Sequence, residues 1–149
     1  MSTADACPIT DLTKIMLATD GSDESEKALA EALSLAKACG TVLYAVSVVE
    51  VNPEYSALAP KAVEKADADT KAILDATRAR AEQEGLQCET VSVHGQDVAG
   101  LLVQQAEKLG ADMIVMGRHG RKKGLKKLLL GSTTSALISH APCKVLVVP

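Results

Sequence analysis

Two short glycine-bearing clusters near the carboxyl end carry residue types suited to holding a phosphate. Gly117-Arg118-His119-Gly120 is followed, after the ten residues Arg121 to Leu130, by Gly131-Ser132-Thr133-Thr134, which opens an apolar-periodic stretch through Ala136, Leu137 and Ile138. Glycines let backbone amides approach an anion, and a hydroxyl-rich helix N-terminus presents free N–H groups and the positive end of the helix dipole. A plainer reading stands beside this one: a tight turn after a strand for Gly117 and Gly120, and N-capping for one of the later hydroxyls. The charge pattern bears on the choice. Met113 to Pro149 contains no Asp or Glu but seven basic residues, while all 19 acidic residues and nine of the 16 basic ones precede it. Charge so one-sided calls for an acidic partner, or for full solvation of Lys122, Lys123, Lys126 and Lys127.

His119, between the two glycines, either donates to a phosphate oxygen or points into water. Asp20 is either a turn-forming residue or an acceptor for ribose hydroxyls. His94 and His140 read as structural, His140 suiting a helix C-terminus. No Ser-His-Asp or Cys-His arrangement is suggested by spacing, and Asp20 has no evident partner as a general base, so catalysis is not indicated. No His, Cys, Asp and Glu residues fall at metal-ligand spacing; a Mg²⁺ ion would have to be held mainly by the ligand's phosphates.

The elements that must position these residues alternate along the chain. Lys14–Ala18 reads as a strand ended by Thr19-Asp20-Gly21-Ser22, and the helix after it, through Ala28, Leu29, Ala32, Leu33 and Ala36, stops at Gly40. Thr41–Val49 is a second, well-buried strand. Glu50–Pro60 reads as a loop, Ala62–Glu84 as a long helix, Gln87–Val93 as a strand and Val98–Leu109 as a helix closed by Gly110. Asp112–Met116, the helix Ser132–His140 and the strand Lys144–Val148 complete an α/β alternation. Short apolar strands of this kind argue a parallel sheet with helices on both faces, and ligands of such sheets bind beyond the carboxyl ends of the strands. The first helix opens with Asp23, Glu24 and Glu26, which would repel a polyphosphate; the helix after Gly131 has no acidic residue.

At 149 residues the chain fits one domain, which would bury roughly 68–70% of its unfolded surface. Tyr44 and Tyr55 are the only aromatic residues, so base stacking on protein rings lacks its usual tools and nucleic acid is not the expected partner. Cys7, Cys39, Cys88 and Cys143 are scattered without a C-x-x-C pair, residues 1–13 do not resemble a secretory signal, and no apolar run approaches a membrane span. The expectation is a cytoplasmic protein with reduced thiols.

Four segments together are specific: Lys-Ile-Met-Leu-Ala-Thr-Asp-Gly-Ser (14–22), Ala-Asp-Met-Ile-Val-Met-Gly-Arg-His-Gly (111–120), Leu-Leu-Leu-Gly-Ser-Thr-Thr (128–134) and Ala-Pro-Cys-Lys-Val-Leu-Val-Val-Pro (141–149). On these the chain, from Lys14 to Pro149, resembles the universal stress proteins, specifically their ATP-binding branch. The resemblance implies a Rossmann-like five-stranded parallel sheet in the order 3-2-1-4-5, one domain over residues 1–149 with a flexible lead at 1–13, and a homodimer through Lys144–Val148. It implies ATP, AMP or ADP in the cleft over strands one and four, with Mg²⁺ on the phosphates. Carried onto this sequence, Thr19 and Asp20 would hold adenosine, with Asp20 on the ribose. Val48 would offer its backbone to adenine, and Met116, Gly117, His119, Gly120, Gly131, Ser132, Thr133 and Thr134 would surround ribose and phosphates. The family's motif has nine residues between the second and third glycines where this chain has ten. The extra residue either bulges outward near Lys122-Lys123-Gly124 or spoils the cradle. The expected function is a cytoplasmic ATP-binding stress-response or regulatory protein. The alternatives are a dimeric interaction protein without nucleotide, and a slow ATPase or adenylyl-transfer enzyme. The latter would want a Ser-Gly-Gly-x-Asp-Ser loop that Asp20–Ser25 lacks.

Overall fold

The computed structural model describes residues 7–118 and 131–149. His119, Gly120 and the basic run Arg121–Lys127 lie outside the described residues. The elements are β1 (Lys14–Ala18), α1 (Asp23–Cys39), β2 (Val42–Glu50), α2 (Pro53–Leu58), α3 (Pro60–Gln83), β3 (Cys88–Gly95), α4 (Val98–Leu109), β4 (Met113–Gly117), α5 (Ser132–His140) and β5 (Lys144–Val148). All strand pairs are parallel, in the order β3-β2-β1-β4-β5, as the resemblance implied.

Strand periodicity divides the core into two layers. Ile15, Leu17, Leu43, Ala45, Met113 and Val115 face one side, where they pack with Ala28, Leu29, Ala32 and Leu33 of α1 and Leu74 and Ala81 of α3. Met16, Val46, Ile114 and Met116 face the other, with Leu102 and Ala106 of α4 and Leu137 of α5. Alternate residues of β1, β2 and β4 thus meet different helices, which is why these three strands show no polar face, whereas the edge strand β3 exposes Ser92 and His94. Truncating a fully buried side chain such as Leu17 or Leu43 should cost about 2–5 kcal/mol.

The expected loop at Glu50–Pro60 contains a helix. Asn52 accepts from the Glu54 amide at 2.9 Å and Pro53 stands at the first helical position, so the Asn-Pro pair, read as a loop signal, is a cap followed by a pre-set φ. α2 buries none of its residues, and Tyr55 and Leu58 remain exposed. β2 and β3 each run past their expected ends, to Glu50 and Gly95, because their ladder continues to that pair.

Cys7 and Cys39 form a disulfide. This corrects the expectation of four reduced thiols: the bond joins residues 32 apart in sequence, and spacing alone cannot reveal a tertiary pairing of that kind. From the expected lead, Cys7 and Ile9 pack against the α1 side of the core and Leu12 is buried within it. Cys88 and Cys143 are free thiols, and burial pushes both above the ordinary thiol range. At the amino ends of the strands, Asp112 Oδ2 accepts from the Thr13 hydroxyl and from the amides of Thr13 and Lys14 at 2.7–3.0 Å. Burial works against this carboxylate, but those bonds prevail and hold it below the usual aspartate range. No helix among the described residues is long and apolar enough to cross a membrane.

Candidate functional site

A cleft of about 770 Å³ lies at the carboxyl ends of β1, β2 and β4, within the usual size range for a small-molecule site. The position follows from the strand order. β1 hands the chain to α1 on one face while β4 hands it to α5 on the other, so the connections diverge and leave a gap over the neighbouring strand ends.

Nine of the residues expected at the site line this cleft: Thr19, Asp20, Val48, Met116, Gly117, Gly131, Ser132, Thr133 and Thr134. His119 and Gly120 lie outside the described residues. Asp20 Oδ1 accepts from the Ser22 amide at 2.9 Å and Thr19 Oγ1 from the Gly21 amide at 3.3 Å, so both shape the turn after β1. Gly21, at φ 79°, occupies the left-handed region that this turn requires.

The backbone of β2 is open at the cleft. The Thr19 amide donates to the Val46 carbonyl at 3.0 Å, and β1 pairing ends at Ala18 with Val46. In a parallel strand successive residues turn their peptide groups to opposite neighbours. Val48 therefore directs its N–H and C=O toward β1, where the chain has already turned away, and neither group has a backbone partner among the described residues. A donor and an acceptor side by side on one edge suit a heterocycle presenting the complementary pair.

The two helix N-termini at the cleft differ. In α1, Ser22 Oγ accepts from the Ser25 amide at 3.2 Å, and Asp23, Glu24 and Glu26 fill the first turn. α5 begins at Gly131 with no side-chain cap and no acidic residue in its first turn. None of its hydroxyls serves as the N-cap, so the plainer reading of that cluster falls away. The Gly131 amide donates to the Arg118 carbonyl at 3.0 Å, which brings the two ends of the intervening segment together. The amides of Ser132, Thr133 and Thr134 follow at the open end of the helix. Thr134 is buried, and its hydroxyl donates to the Gly117 carbonyl at 3.1 Å.

The two glycines serve different ends. A Cβ on Gly117 would stand 3.0 Å from Glu24 Cβ and 3.2 Å from the Glu24 backbone, so this position lets α1 pack against the end of β4. Gly131, at φ −62° and ψ 155°, adopts a conformation open to any residue, so conformational freedom is not the reason for it.

Charge in the cleft is uneven. Its described lining holds Asp20, Glu50, Asp69 and Asp97 and no Lys, Arg or His; the cations of 121–127 belong to the segment between Gly117 and Gly131. Among the described residues there is no cluster of His, Cys, Asp or Glu able to hold a metal ion. Sequence reasoning missed Ser47 and Thr70, both lining the cleft and both buried. For Ser47 a signal existed, a hydroxyl interrupting the β-branched run of β2.

The universal stress protein family model matches residues 12–149. The chain is 37% identical over 139 residues to a universal stress protein of Methanocaldococcus jannaschii, covering 91% of this chain and 81% of that one. Among solved structures, UspA from Lactobacillus plantarum superposes with a TM-score of 0.81 at 24% identity, over 92% of this chain and 97% of the other, a likeness of fold. A universal stress protein in complex with cAMP superposes with a TM-score of 0.69 at 27% identity, over 92% and 96% of the two chains. With a family match over nearly the whole sequence and a sheet of the expected order, the chain belongs to the universal stress protein family.

Proposed function

We propose that this protein binds an adenine nucleotide in the cleft over β1 and acts as a nucleotide-responsive regulatory protein of the stress response. The observation that carries the reading is the open backbone edge of Val48, facing the same cleft as the uncapped N-terminus of α5. Val48 and β4 flank β1 on either side, roughly 10 Å apart by strand spacing. A nucleoside with its first phosphate can bridge such a gap, with the base edge at Val48, the ribose over Thr19 and Asp20, and the phosphates toward Ser132, Thr133 and Thr134. Met116, Gly117 and Gly131 complete the walls, and His119 and Gly120 follow from the sequence motif. Binding of cAMP by a relative of the same fold supports the class of ligand.

ATP is the member of that class we favour, with AMP or ADP as alternatives and Mg²⁺ carried by the phosphates, because the seven cations from Met113 onward exceed what one phosphate needs. The protein works in the cytoplasm as a homodimer through Lys144–Val148, with nucleotide state setting its conformation or choice of partner. Binding rather than turnover is the proposed role.

Thermal unfolding with ATP, ADP and AMP tests the reading. A ligand at a hundredfold excess over its dissociation constant adds about 2.7 kcal/mol to the native state, several degrees for a domain of this size. No shift with any of the three at millimolar concentration, in nucleotide-free protein, would sink it.

A further inference from the structure

The cleft extends around both faces of β2. Val46 and Val48 belong to the face covered by α4, whereas Ser47 and Val49 point to the face covered by α3, and all four line the same cavity. The α4 side carries the aliphatic Val98, Leu102 and Met116 together with Glu50 and Asp97. The α3 side differs. There Ser47, 4% exposed, and Thr70, 8% exposed, both line the cleft, and neither side chain has a hydrogen-bond partner among the described residues.

Thr77, two turns further along α3, shows how a buried threonine is ordinarily satisfied, since its hydroxyl donates to the Ile73 carbonyl at 2.9 Å. Thr70 makes no such bond back to Ala66. Neither hydroxyl is sealed off in the way that of Thr41 is, so both open into the cavity and can bond to a polar group placed there. The charge of this side limits that group. Asp69 lines it, paired with Lys65, and no cation belongs to the described lining. A phosphate is disfavoured there, and an uncharged hydrogen-bonding group is favoured.

We infer that Ser47 and Thr70 form a polar subsite that receives the base of the bound nucleotide and helps set base affinity. The inference rests on the nucleotide reading above and deepens it. The base reaches the subsite beside the Val48 edge, because Ser47 adjoins Val48 in β2 and α3 packs Thr70 toward that strand. A hydroxyl both donates and accepts, so the pair reads the base without demanding one polarity.

The experiment compares AMP with ribose 5-phosphate, the same ligand without its base, by calorimetric titration of wild type, Thr70→Val, Thr70→Ser and Ser47→Ala. Thr70→Val and Ser47→Ala should each weaken AMP by roughly 3- to 10-fold, the worth of one neutral hydrogen bond. Ribose 5-phosphate should be unaffected, and Thr70→Ser should restore AMP binding. Thermal unfolding of each variant without ligand confirms the native fold, and Ser47→Ala provides an independent arm should Thr70→Val fail to fold. Unchanged AMP affinity in the folded variants overturns the subsite, as does an equal loss for both ligands. A wild-type protein that binds neither ligand overturns the nucleotide reading itself, and a wild type that binds AMP while its variants do the same overturns only the subsite.

Discussion

The hydroxyl of Thr134 donates to the carbonyl oxygen of Gly117 at 3.1 Å, tying the first turn of α5 to the end of β4. Both groups are buried, and the residues sit on opposite sides of the segment that holds the clustered cations. With the Gly131 amide on the Arg118 carbonyl, this bond fixes how the open end of α5 meets the cleft. One of the three hydroxyls expected around the phosphates, that of Thr134, thus acts on the protein's own backbone.

Thr134→Val removes the tie while keeping the shape, and should cost about 1–3 kcal/mol of stability by leaving a buried carbonyl without that donor. Gly131→Ala should change stability by no more than about 0.5 kcal/mol, since its backbone conformation suits any residue, yet weaken ATP by hindering close approach. Denaturant unfolding and ATP titration of both variants check this. A Gly131→Ala protein that binds ATP normally would contradict a backbone cradle at that position.

Reduction of the Cys7–Cys39 bond should lower stability. The bond encloses a 32-residue separation, for which chain-entropy arguments give about 2–4 kcal/mol. Melting with and without a dithiol reductant measures the difference, and Cys7→Ser should melt like reduced wild type in both conditions. Equal melting temperatures for oxidised and reduced protein would contradict it.

Stability should also fall in acid through Asp112. Its carboxyl lies below the ordinary aspartate range in the folded protein, so the unfolded chain binds the proton more readily. The stabilisation is therefore complete above the unfolded value and is lost as pH drops through the lower, folded one. Urea midpoints measured across acidic pH should show a shallower decline in Asp112→Asn than in wild type. Parallel curves would remove Asp112 as a cause.

Among the described residues β5 pairs with β4 alone, and Val145 to Val148 remain partly exposed at the sheet edge. An apolar edge of this kind invites a second copy. Sedimentation at micromolar concentration should show a dimer, and Leu146→Pro should weaken it. A monomeric wild type, or a dimer indifferent to the proline, would contradict this.

The sheet and its helices were legible because strand-length β-branched runs alternate with Ala- and Leu-rich helical periods closed by Gly40, Gly85 and Gly110. The cleft was legible in part. Asp20 lies just past β1 and Gly117 ends β4, two strands that become neighbours at the point where the chain reverses its order of winding. Asn52-Pro53 was read as a loop because a six-residue helix with no buried face leaves no periodic signal. The Cys7–Cys39 bond and the approach of Thr70 to β2 depend on tertiary placement, which sequence spacing does not encode. Gly117 was singled out for a ligand, while its nearest constraint is Glu24 of α1.

The measurement that bears most directly on the nucleotide reading is the amide resonance of Val48 during titration with AMP, with Val46 as the internal reference. In the free protein the Val48 amide has no backbone partner among the described residues and should exchange with solvent readily, whereas Val46 lies within the paired register of β1 and β2. Saturating AMP should shift the Val48 resonance and slow its exchange while leaving Val46 little changed. Saturation by AMP with Val48 unperturbed would place the base elsewhere and contradict the account.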